Sequence, residues 1–449
     1  MQLSFDGCEP ASLRPKSHAR LGTPAFRKAG EDRLLLPSAL DEEIPEGHPV
    51  RMIKWAVQHV DLSAIRKRYE HKGGIPYPPA NLLAVLLFGM TEGIRSSRGL
   101  EERCRYDLRY RFLMDGLMPD DRTFGRFLER IDPISEEVFG SFNALLQSKG
   151  MCKVRGVGVD GVKTQGSSSW WKHQAASDSP PSDPEACKLY SHGRHLVGYN
   201  AQFAVDLDEG TIAGVAVVCE QNDFHAIPAV IEAVERQSGS IPCSVVADAG
   251  YDSCDNIETL ESKGIDSVID TAKPIPAEVA EDAEGVLRCP VGRKIVLTGH
   301  RTFGEVTHDY YRPEGGCKGC PLRAQCGFKG KNIQVPSGAD VGARFRNRAR
   351  LESAMYSGAM RSRRTVERVF AIRNHCDKFG RILRRGALKA LTELILWAAS
   401  FNLRVWASIA EALFRRFLDL FGASLAGHIT VGQSVVHNTP GDVRLAARL

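Results

Sequence analysis

Two aspartates follow short apolar runs, in positions where an acid needs a cation or a polar partner. In RGVGVDG an apolar alternation leads to Asp160, and in VVADAGYDS an apolar run leads to Asp248. Charges are rarely left buried unless they pair or bind metal. If two such strands finish at one sheet edge, the like charges are unfavourable without a cation between them. Either Asp alone could instead cap a turn. Together they favour a metal site.

A third carboxylate would strengthen this prediction, because Mg²⁺ prefers an octahedron of oxygen ligands. Glu367 is the best candidate and lies in the basic stretch RSRRTVERVF. A Glu among arginines is commonly a simple helix ion pair. On a helix, however, Arg363 one turn before it and Asn374 two turns after it would share its face. That shared face favours a role for Glu367 beside the two aspartates.

The segments around these acids predict an α/β fold. Short β-rich runs and amphipathic segments follow residue 151 in the order three strands, helix, strand, helix, strand. The second and third strands form a hairpin closed around Asp208-Glu209-Gly210. The predicted strands are 155–160, 199–205, 211–219, the run that leads to Asp248, and 266–269, and the predicted helices are 224–236 and 253–263.

Composition shifts divide the chain into five parts. Two long helices are expected in its C-terminal half, at 346–375 and 387–418, and helical periodicity fills the region before residue 151. That N-terminal region could read DNA through a helix-turn-helix, or serve packing or oligomerisation. The parts are a loosely ordered arm at 1–45, a helical DNA-binding or oligomerisation domain at 46–151, a catalytic domain at 152–270 and 341–420, an inserted Cys-containing subdomain at 271–340, and a tail at 421–449.

Positive charge is concentrated in one block. Between residues 344 and 389 there are 14 Lys or Arg and three acids, which gives this block a net charge of +11. The whole chain has a net charge of +5, so the residues outside the block have a net charge of −6. Such a block can be a solvated face. Apolar residues interrupt it at helical spacing, which favours a folded helix facing a polyanion. The expected phosphate-binding residues are Arg361, Arg363, Arg364, Arg368 and Arg373, with Arg344, Arg346, Arg348 and Arg350 as further candidates.

The cysteine pattern suggests a second metal site. Twelve cysteines are scattered along 449 residues, which predicts reduced thiols or a metal site rather than disulfides. Cys317, Cys320 and Cys326, preceded by Cys289, offer the four thiolates that a structural Zn²⁺ binds. The alternative is reduced cysteine in an irregular loop. Apolar runs are too short to span a bilayer and no export signal is evident, so a reducing, cytoplasmic location without membrane contact is expected.

Several ordered blocks resemble the bacterial insertion-sequence transposases of the DDE class. These are GVDG at 158–161, GYNAQFAVD at 198–206, VVADAGYDS at 245–253 and RSRRTVERVF at 361–370, with upstream blocks at 34–51, 77–103 and 119–131. The resemblance covers about residues 34 to 406. Relatives often carry a Tyr, Arg, Glu, Lys signature around the third acid. This chain has Met360, Arg363, Glu367 and Asn374 there, so only Arg and Glu are kept, with Arg373 as a substitute for the Lys.

The resemblance implies a ribonuclease H-like mixed sheet flanked by helices, with Asp160, Asp248 and Glu367 as catalytic metal ligands. In that family the first Asp ends the first strand, and the second Asp ends the fourth. Two Mg²⁺ or Mn²⁺ ions would cut transposon ends and join them to target DNA. The expected partners are double-stranded DNA at the nucleoid and further copies of the chain on DNA. The alternatives are a nuclease of the same fold that only hydrolyses DNA, and an inactive transposase-derived DNA-binding protein.

Overall fold

The N-terminal region of the computed structural model is helical, as the periodicity predicts. The structure describes residues 40–69, 75–168, 182–191, 193–271, 279–304, 306–324, 326 and 332–425. Helix α4 is buried along most of its length, begins at a proline and ends at Gly93, whose φ of 72° suits glycine. The helices are α1 (Leu40–Glu43), α2 (Pro49–His59), α3 (Ser63–Arg66), α4 (Pro79–Glu92), α5 (Ser97–Tyr106), α6 (Leu108–Leu113), α7 (Asp121–Ile131) and α8 (Ser135–Ser148).

A mixed sheet with helices on both faces comes next in the chain. Its elements are β1 (Gly156–Gln165), β2 (Cys187–Ser191), β3 (Arg194–Asp206), β4 (Ile212–Val218), α9 (Ala226–Ser238), β5 (Ser244–Ala247), α10 (Cys254–Ser262) and β6 (Asp266–Ile269). The sheet order is β2-β3-β1-β5-β6, and β4 also pairs with β3. Strand β3 is antiparallel to β1, whereas β5 and β6 run parallel to it. The predicted α/β class and ribonuclease H-like sheet are confirmed.

Strand β2 was not predicted, and it brings an unexpected cysteine pair. It pairs with the N-terminal part of β3, whereas β4 pairs with the C-terminal part. Cys187 of β2 and Cys219, directly after β4, thereby come together with a Cα–Cα distance of 5.6 Å and form a disulfide. The prediction of reduced thiols is wrong for this pair. Strands β2 and β4 lie at the same edge of β3 and bring the two cysteines together, which the spacing of 32 residues does not reveal.

The segment after β6 forms small sheets instead of an irregular loop. Its strands are β7 (Ala280–Glu281), β8 (Leu287–Arg288), β9 (Ile295–Phe303), β10 (Val306–Pro313) and β11 (Ile333–Pro336). The order β11-β10-β9 makes one antiparallel sheet, and β7 pairs with β8. A small buried cluster of Val279, Leu287, Cys289, Cys326 and Phe345 holds this part together. So few apolar side chains make a modest core.

The predicted helix over 346–375 is broken into several pieces. These are α11 (Ala343–Glu352), α12 (Ala359–Ser362) and α13 (Arg364–Ala371), followed by a π-helical turn at Ile372–Cys376. Gly358, with φ of 90°, separates α11 from α12, because only glycine adopts such a φ without strain. A π-helical turn adds one residue to the helix and rotates the residues beyond it about the helix axis. Arg363, between α12 and α13, is at a junction.

Helix α14 (Ala387–Leu425) joins the helical region to the sheet. Trp397 is fully buried on it, lies 5.7 Å from Phe203 between ring centroids, and donates its indole N–H to Asp377 at 2.7 Å. Buried residues of α2, α4, α13, α14 and β3 belong to one continuous hydrophobic cluster. Within the described ranges, no helix is long and apolar enough to cross a membrane.

Candidate active site

Asp160 lies in the middle of β1 rather than at its end. The strand continues to Gln165, so the expectation that this acid terminates a strand is wrong. The neighbour β5 is shorter: its parallel pairing runs from Gly156↔Ser244 to Gly158↔Val246. Asp160 is therefore two residues past the last pair, where β1 has no strand beside it on that side. Its carboxylate is accessible there because the adjacent strand has ended.

Asp248 follows β5 directly and both caps a turn and faces the site. Its Oδ1 accepts a hydrogen bond from the backbone N–H of Gly250 at 2.8 Å, at the start of a 3₁₀ turn over Ala249–Tyr251. Its Oδ2 is left for Arg363. Continuing the register of β1 and β5 by two residues places Asp248 opposite Asp160. The turn and the site are thus compatible roles for one carboxylate.

Arg363 connects the two aspartates through a single nitrogen. Its Nη2 lies 3.2 Å from Asp160 Oδ2 and 3.3 Å from Asp248 Oδ2. The two carboxylates therefore share one positive charge, as like charges at close range require. Burial raises the pKa of Asp160, which Arg363 opposes and Asp248 reinforces. Arg363 Nε is buried without a hydrogen-bond partner among the described residues.

Glu367 lies one helical turn after Arg363, and it is exposed. Within the described part of the chain its carboxylate makes no hydrogen bond or ion pair. The charge of Glu367 nevertheless acts on Arg363. Burial alone lowers the pKa of Arg363, but the negative charges of Asp160, Asp248 and Glu367 together raise it above its usual value. The structure thus brings Asp160 and Asp248 together, and it places Glu367 beside the arginine that joins them.

Helix α13 is held against β1 by a close packing contact at a glycine. Val366 is fully buried on α13, and a Cβ added to Gly158 would meet Val366 Cγ2 at 2.6 Å and Leu207 Cδ2 at 2.9 Å. Only glycine permits this approach. Val366 lies three residues after Arg363 and one before Glu367, so this contact fixes the height of both above the strand.

The donor set suits a divalent cation. Two carboxylate oxygens converge on the Nη2 of Arg363, and this guanidinium occupies the place where a metal ion would neutralise them. Carboxylate oxygens are the ligands that Mg²⁺ and Mn²⁺ prefer. Among the residues that the structure describes, no group of three or more His, Cys, Asp or Glu side chains is arranged to hold a metal ion. Glu367 is therefore outside direct reach of the pair in this arrangement.

The basic residues divide into exposed, paired and buried ones. Arg361, Arg364 and Arg368 are exposed. The arginines of α11, by contrast, form ion pairs. The pairs are Arg344 with Asp252; Arg346 with Glu261, Glu281 and Asp340; Arg348 with Glu352; and Arg350 with Glu261 and Asp266. These arginines are thus already ion-paired. Their expected role in phosphate binding stays a prediction.

Arg373 is in the protein interior, 1% exposed, and does not suit a phosphate contact. Its Nη2 donates to Thr164 Oγ1 at 2.7 Å, and its guanidinium lies 4.9 Å from the ring centroid of Phe379. Burial lowers the pKa of Arg373 to about 9, and the nearby Arg95 adds to this shift. Arg373 lies within the π-helical turn at Ile372–Cys376. The expected DNA contact, and the substitution of Arg373 for a Lys, are corrected accordingly.

A polar network beside the aspartates was missed in the sequence. Asp223, after β4, accepts from Asn200 Nδ2 at 2.8 Å and from Gln202 Nε2 at 2.7 Å, and Tyr251 donates to Gln202. Asn200, Gln202 and Tyr251 are all buried. The signal available was the alternation of Asn and Gln with apolar residues in GYNAQFAVD, since alternate residues of a strand share one face.

The four cysteines of the inserted segment line one small cavity. Cys317 and Cys320 flank one turn, and Cys289 and Cys326 come from other parts of this segment. Cys289 and Cys326 are buried, whereas Cys317 and Cys320 are partly exposed. All four are free thiols. They are thus neighbours, although their sulfur atoms do not form a closed metal site within the described residues.

Two family matches agree with this architecture. Residues 38–130 match the family described as "Transposase domain (DUF772)", and residues 161–403 match the "Transposase DDE domain" family. The second match includes Asp248 and Glu367 and begins one residue after Asp160. A solved structure titled "Cryo-EM structure of piggyBac transposase synaptic complex with hairpin DNA (SNHP)" is similar at 11% identity and a TM-score of 0.33, covering 81% of this chain and 76% of that one.

No curated protein matches the chain. The match to the DDE domain nevertheless spans more than half of the 449 residues, and the helical domain match lies directly before it in the chain. The chain therefore belongs to the DDE-class transposase family.

Proposed function

We propose that this protein cleaves DNA at transposon ends and joins those ends to target DNA, in reactions that require Mg²⁺ or Mn²⁺. The observation that supports this proposal best is the convergence of Asp160 and Asp248 on Arg363, with Glu367 one turn further along α13. Asp160, Asp248 and Glu367 would hold two divalent ions. Those ions would supply an activated water and neutralise the charge of the attacking and leaving oxygens.

The chain's own residues position the reacting groups. With a divalent ion held by Asp160 and Asp248, Arg363 would be free to bind a DNA phosphate. In the first reaction, water attacks the phosphorus and the 3′ oxygen leaves as a 3′-hydroxyl. In the second, that hydroxyl attacks a target phosphorus and displaces the target's own 3′ oxygen. Neither reaction needs a Ser, Tyr or Cys nucleophile, so no covalent protein–DNA intermediate is proposed.

The test uses DNA from both flanks of the gene, where terminal inverted repeats are expected. Incubation with Mg²⁺ should release 3′-hydroxyl ends, and pre-cut ends should become joined to a target plasmid. Hydrolysis without joined product would favour the alternative nuclease. Undiminished DNA binding with neither product would favour an inactive DNA-binding protein. Omission of the metal should abolish both products and leave binding measurable.

The exposed arginines of α12 and α13 are proposed to bind DNA phosphates. We expect Arg364→Gln and Arg368→Gln each to weaken binding of an unrelated duplex and to reduce the salt dependence, d log K/d log [salt], by about 1. Fluorescence anisotropy at several salt concentrations measures both. Lys263→Gln is the matched control, because Lys263 already pairs with Glu235 at 3.1 Å. An equal salt dependence of binding in Arg364→Gln, Arg368→Gln and Lys263→Gln would contradict the proposal.

A structural Zn²⁺ bound by Cys289, Cys317, Cys320 and Cys326 is also proposed. The small apolar cluster in this segment supports it, since such a segment gains stability from a metal that binds only the folded state. We expect about one zinc per chain by elemental analysis, and less than a tenth of that in Cys317→Ser/Cys320→Ser. Cys243→Ser, at an exposed free cysteine elsewhere, should retain the zinc. Zinc-free wild-type protein would contradict this assignment.

The division into five parts is kept as a proposal, with end recognition assigned to residues 46–151 and the inserted segment. Two transposon ends must be brought together, so we propose that the protein acts as a homo-oligomer on DNA. Action at the bacterial nucleoid in the cytoplasm is proposed on the basis of the same function.

A further inference from the structure

Asp223 uses one of its carboxylate oxygens for a buried network and leaves the other unbound. Both Asn200 and Gln202 donate to its Oδ1, and Gln202 also donates to Asn200 Oδ1 at 3.0 Å. Among the described residues, Oδ2 has no hydrogen-bond partner. Asn200 and Gln202 are 1% and 0% exposed. Two buried amides thus hold a partly exposed acid in one orientation.

The free oxygen lies on the side of the metal-binding aspartates. A Cβ added to Gly250 would be 2.9 Å from Asp248 Oδ1 and 3.9 Å from Asp223 Oδ2. A Cβ added to Gly161, the residue after Asp160, would be 3.0 Å from Asp223 Oδ1. The absence of a side chain at Gly250 leaves the space between Asp248 and Asp223 open, whereas the space beside Gly161 is taken by the amides of Gln202 and Asn200. Asp223 is therefore a neighbour of Asp248 across Gly250, and its bound oxygen lies beside the β1 backbone at Gly161.

The surroundings of the buried Tyr251 also show that Asp223 lies near Asp160 and Asp248. Burial raises the pKa of Tyr251 well above its usual value, and the carboxylates of Asp223, Asp160 and Asp248 raise it further. Its hydroxyl donates to Gln202 Oε1. The donor sequence runs from Tyr251 through Gln202 to Asp223, so the network ends on this carboxylate. A protonated or neutral group at Asp223 would leave the amide donors with a weaker acceptor.

We propose that Asp223 is a positioning residue of the active site, which binds the water ligands of a metal ion held by Asp160 and Asp248. This inference rests on the proposed function. Mg²⁺ binds oxygen at about 2.1 Å and keeps several waters, and a hydrogen bond of about 2.8 Å beyond such a water reaches the next carboxylate. Such an indirect contact suits Asp223 Oδ2, which flanks the open space beside Gly250 together with Asp248 Oδ1. It also agrees with the lack of a third direct ligand among the described residues.

The experiment measures Mn²⁺ binding to the full chain by calorimetry, together with thermal unfolding and end cleavage. Asp223→Asn keeps the shape and an acceptor oxygen but removes the charge. We expect its Mn²⁺ affinity to fall about tenfold, the size typical of lost outer partners of a metal. Asp255→Asn is the matched control: Asp255 is exposed, pairs with His225 and should leave Mn²⁺ affinity unchanged.

A merely structural role predicts a different pattern. Asp223→Glu retains the charge and should keep Mn²⁺ affinity within about threefold of wild type, whereas a packing role makes Glu as harmful as Asn. If Asp223→Asn does not fold, Asp223→Glu and Asp223→Gln form a second pair that differs only in charge. Equal Mn²⁺ affinity within the pair would overturn the inference.

Asp160→Asn separates this inference from the proposed function. Loss of Mn²⁺ binding in Asp160→Asn but not in Asp223→Asn would refute the role of Asp223 alone. Unchanged Mn²⁺ binding in both variants would refute the metal site itself, and the inference with it.

Discussion

Asp160→Asn is expected to reduce both end cleavage and strand transfer at least a thousandfold, about 4 kcal/mol in activation free energy. The substitution keeps the shape of the side chain and removes the charge that would hold the metal. Asp160 Oδ1 already accepts from the Gly161 backbone, and an amide oxygen can continue to do so. The fold should therefore persist, and the loss should be catalytic. Rates of 3′-hydroxyl release and of joined product measure it.

Two controls make this result specific. Asp255→Asn makes the same chemical change on α10, at an exposed acid paired with His225, and should keep wild-type rates. Duplex binding by Asp160→Asn should remain within a few fold of wild type, because exposed arginines contribute most of the phosphate contacts. If Asp160→Asn cleaved DNA at a tenth of the normal rate or faster, this carboxylate would not be a metal ligand.

The sequence was sufficient for those parts of the fold that depend on local periodicity. Strand β6 has the predicted bounds of 266–269, and Val366 and Val369 form a buried apolar stripe on α13. The closeness of Asp160 and Asp248 was also predictable, since parallel strands set a common edge. The reason differs in detail: β1 continues past Asp160, and it is the end of β5 that exposes the acid.

Contacts between distant residues could not be predicted in this way. The arginines of α11 look free in the sequence, but their partners Glu261, Glu281 and Asp340 come from three separate segments. The inward direction of Arg373 is accompanied by contacts with Thr164 and Phe379, and the first of these is far away in the sequence. Asp223 has an unremarkable neighbourhood in the sequence, and only the pairing of β3 with β1 and β4 shows which amides surround it.

The contact between Gly158 and Val366 supplies the second large expected effect. Gly158→Ala would place a methyl group 2.6 Å from Val366 Cγ2. Valine has one strongly preferred rotamer in a helix, so α13 must move instead of the side chain. Overpacking of this kind costs about 1–3 kcal/mol of unfolding free energy. A shift of α13 also displaces Arg363 and Glu367, and misplacement by about 1 Å can reduce a rate about a hundredfold.

The double variant tests whether this contact is the cause. Val366→Ala alone removes buried methyl groups and should cost about 2 kcal/mol of unfolding free energy. Combined with Gly158→Ala, the new methyl group fills part of the space, so the double variant should be at least about 0.5 kcal/mol more stable than additivity predicts. Cleavage should recover about tenfold over Gly158→Ala. Gly140→Ala, in the interior of α8 where the nearest atom is 3.5 Å away, should raise the unfolding free energy by up to about 1 kcal/mol and leave cleavage unchanged. Strict additivity in chemical denaturation, with no recovery of cleavage, would mean that α13 is not positioned by this contact, and the placement of Glu367 beside Arg363 would need another cause.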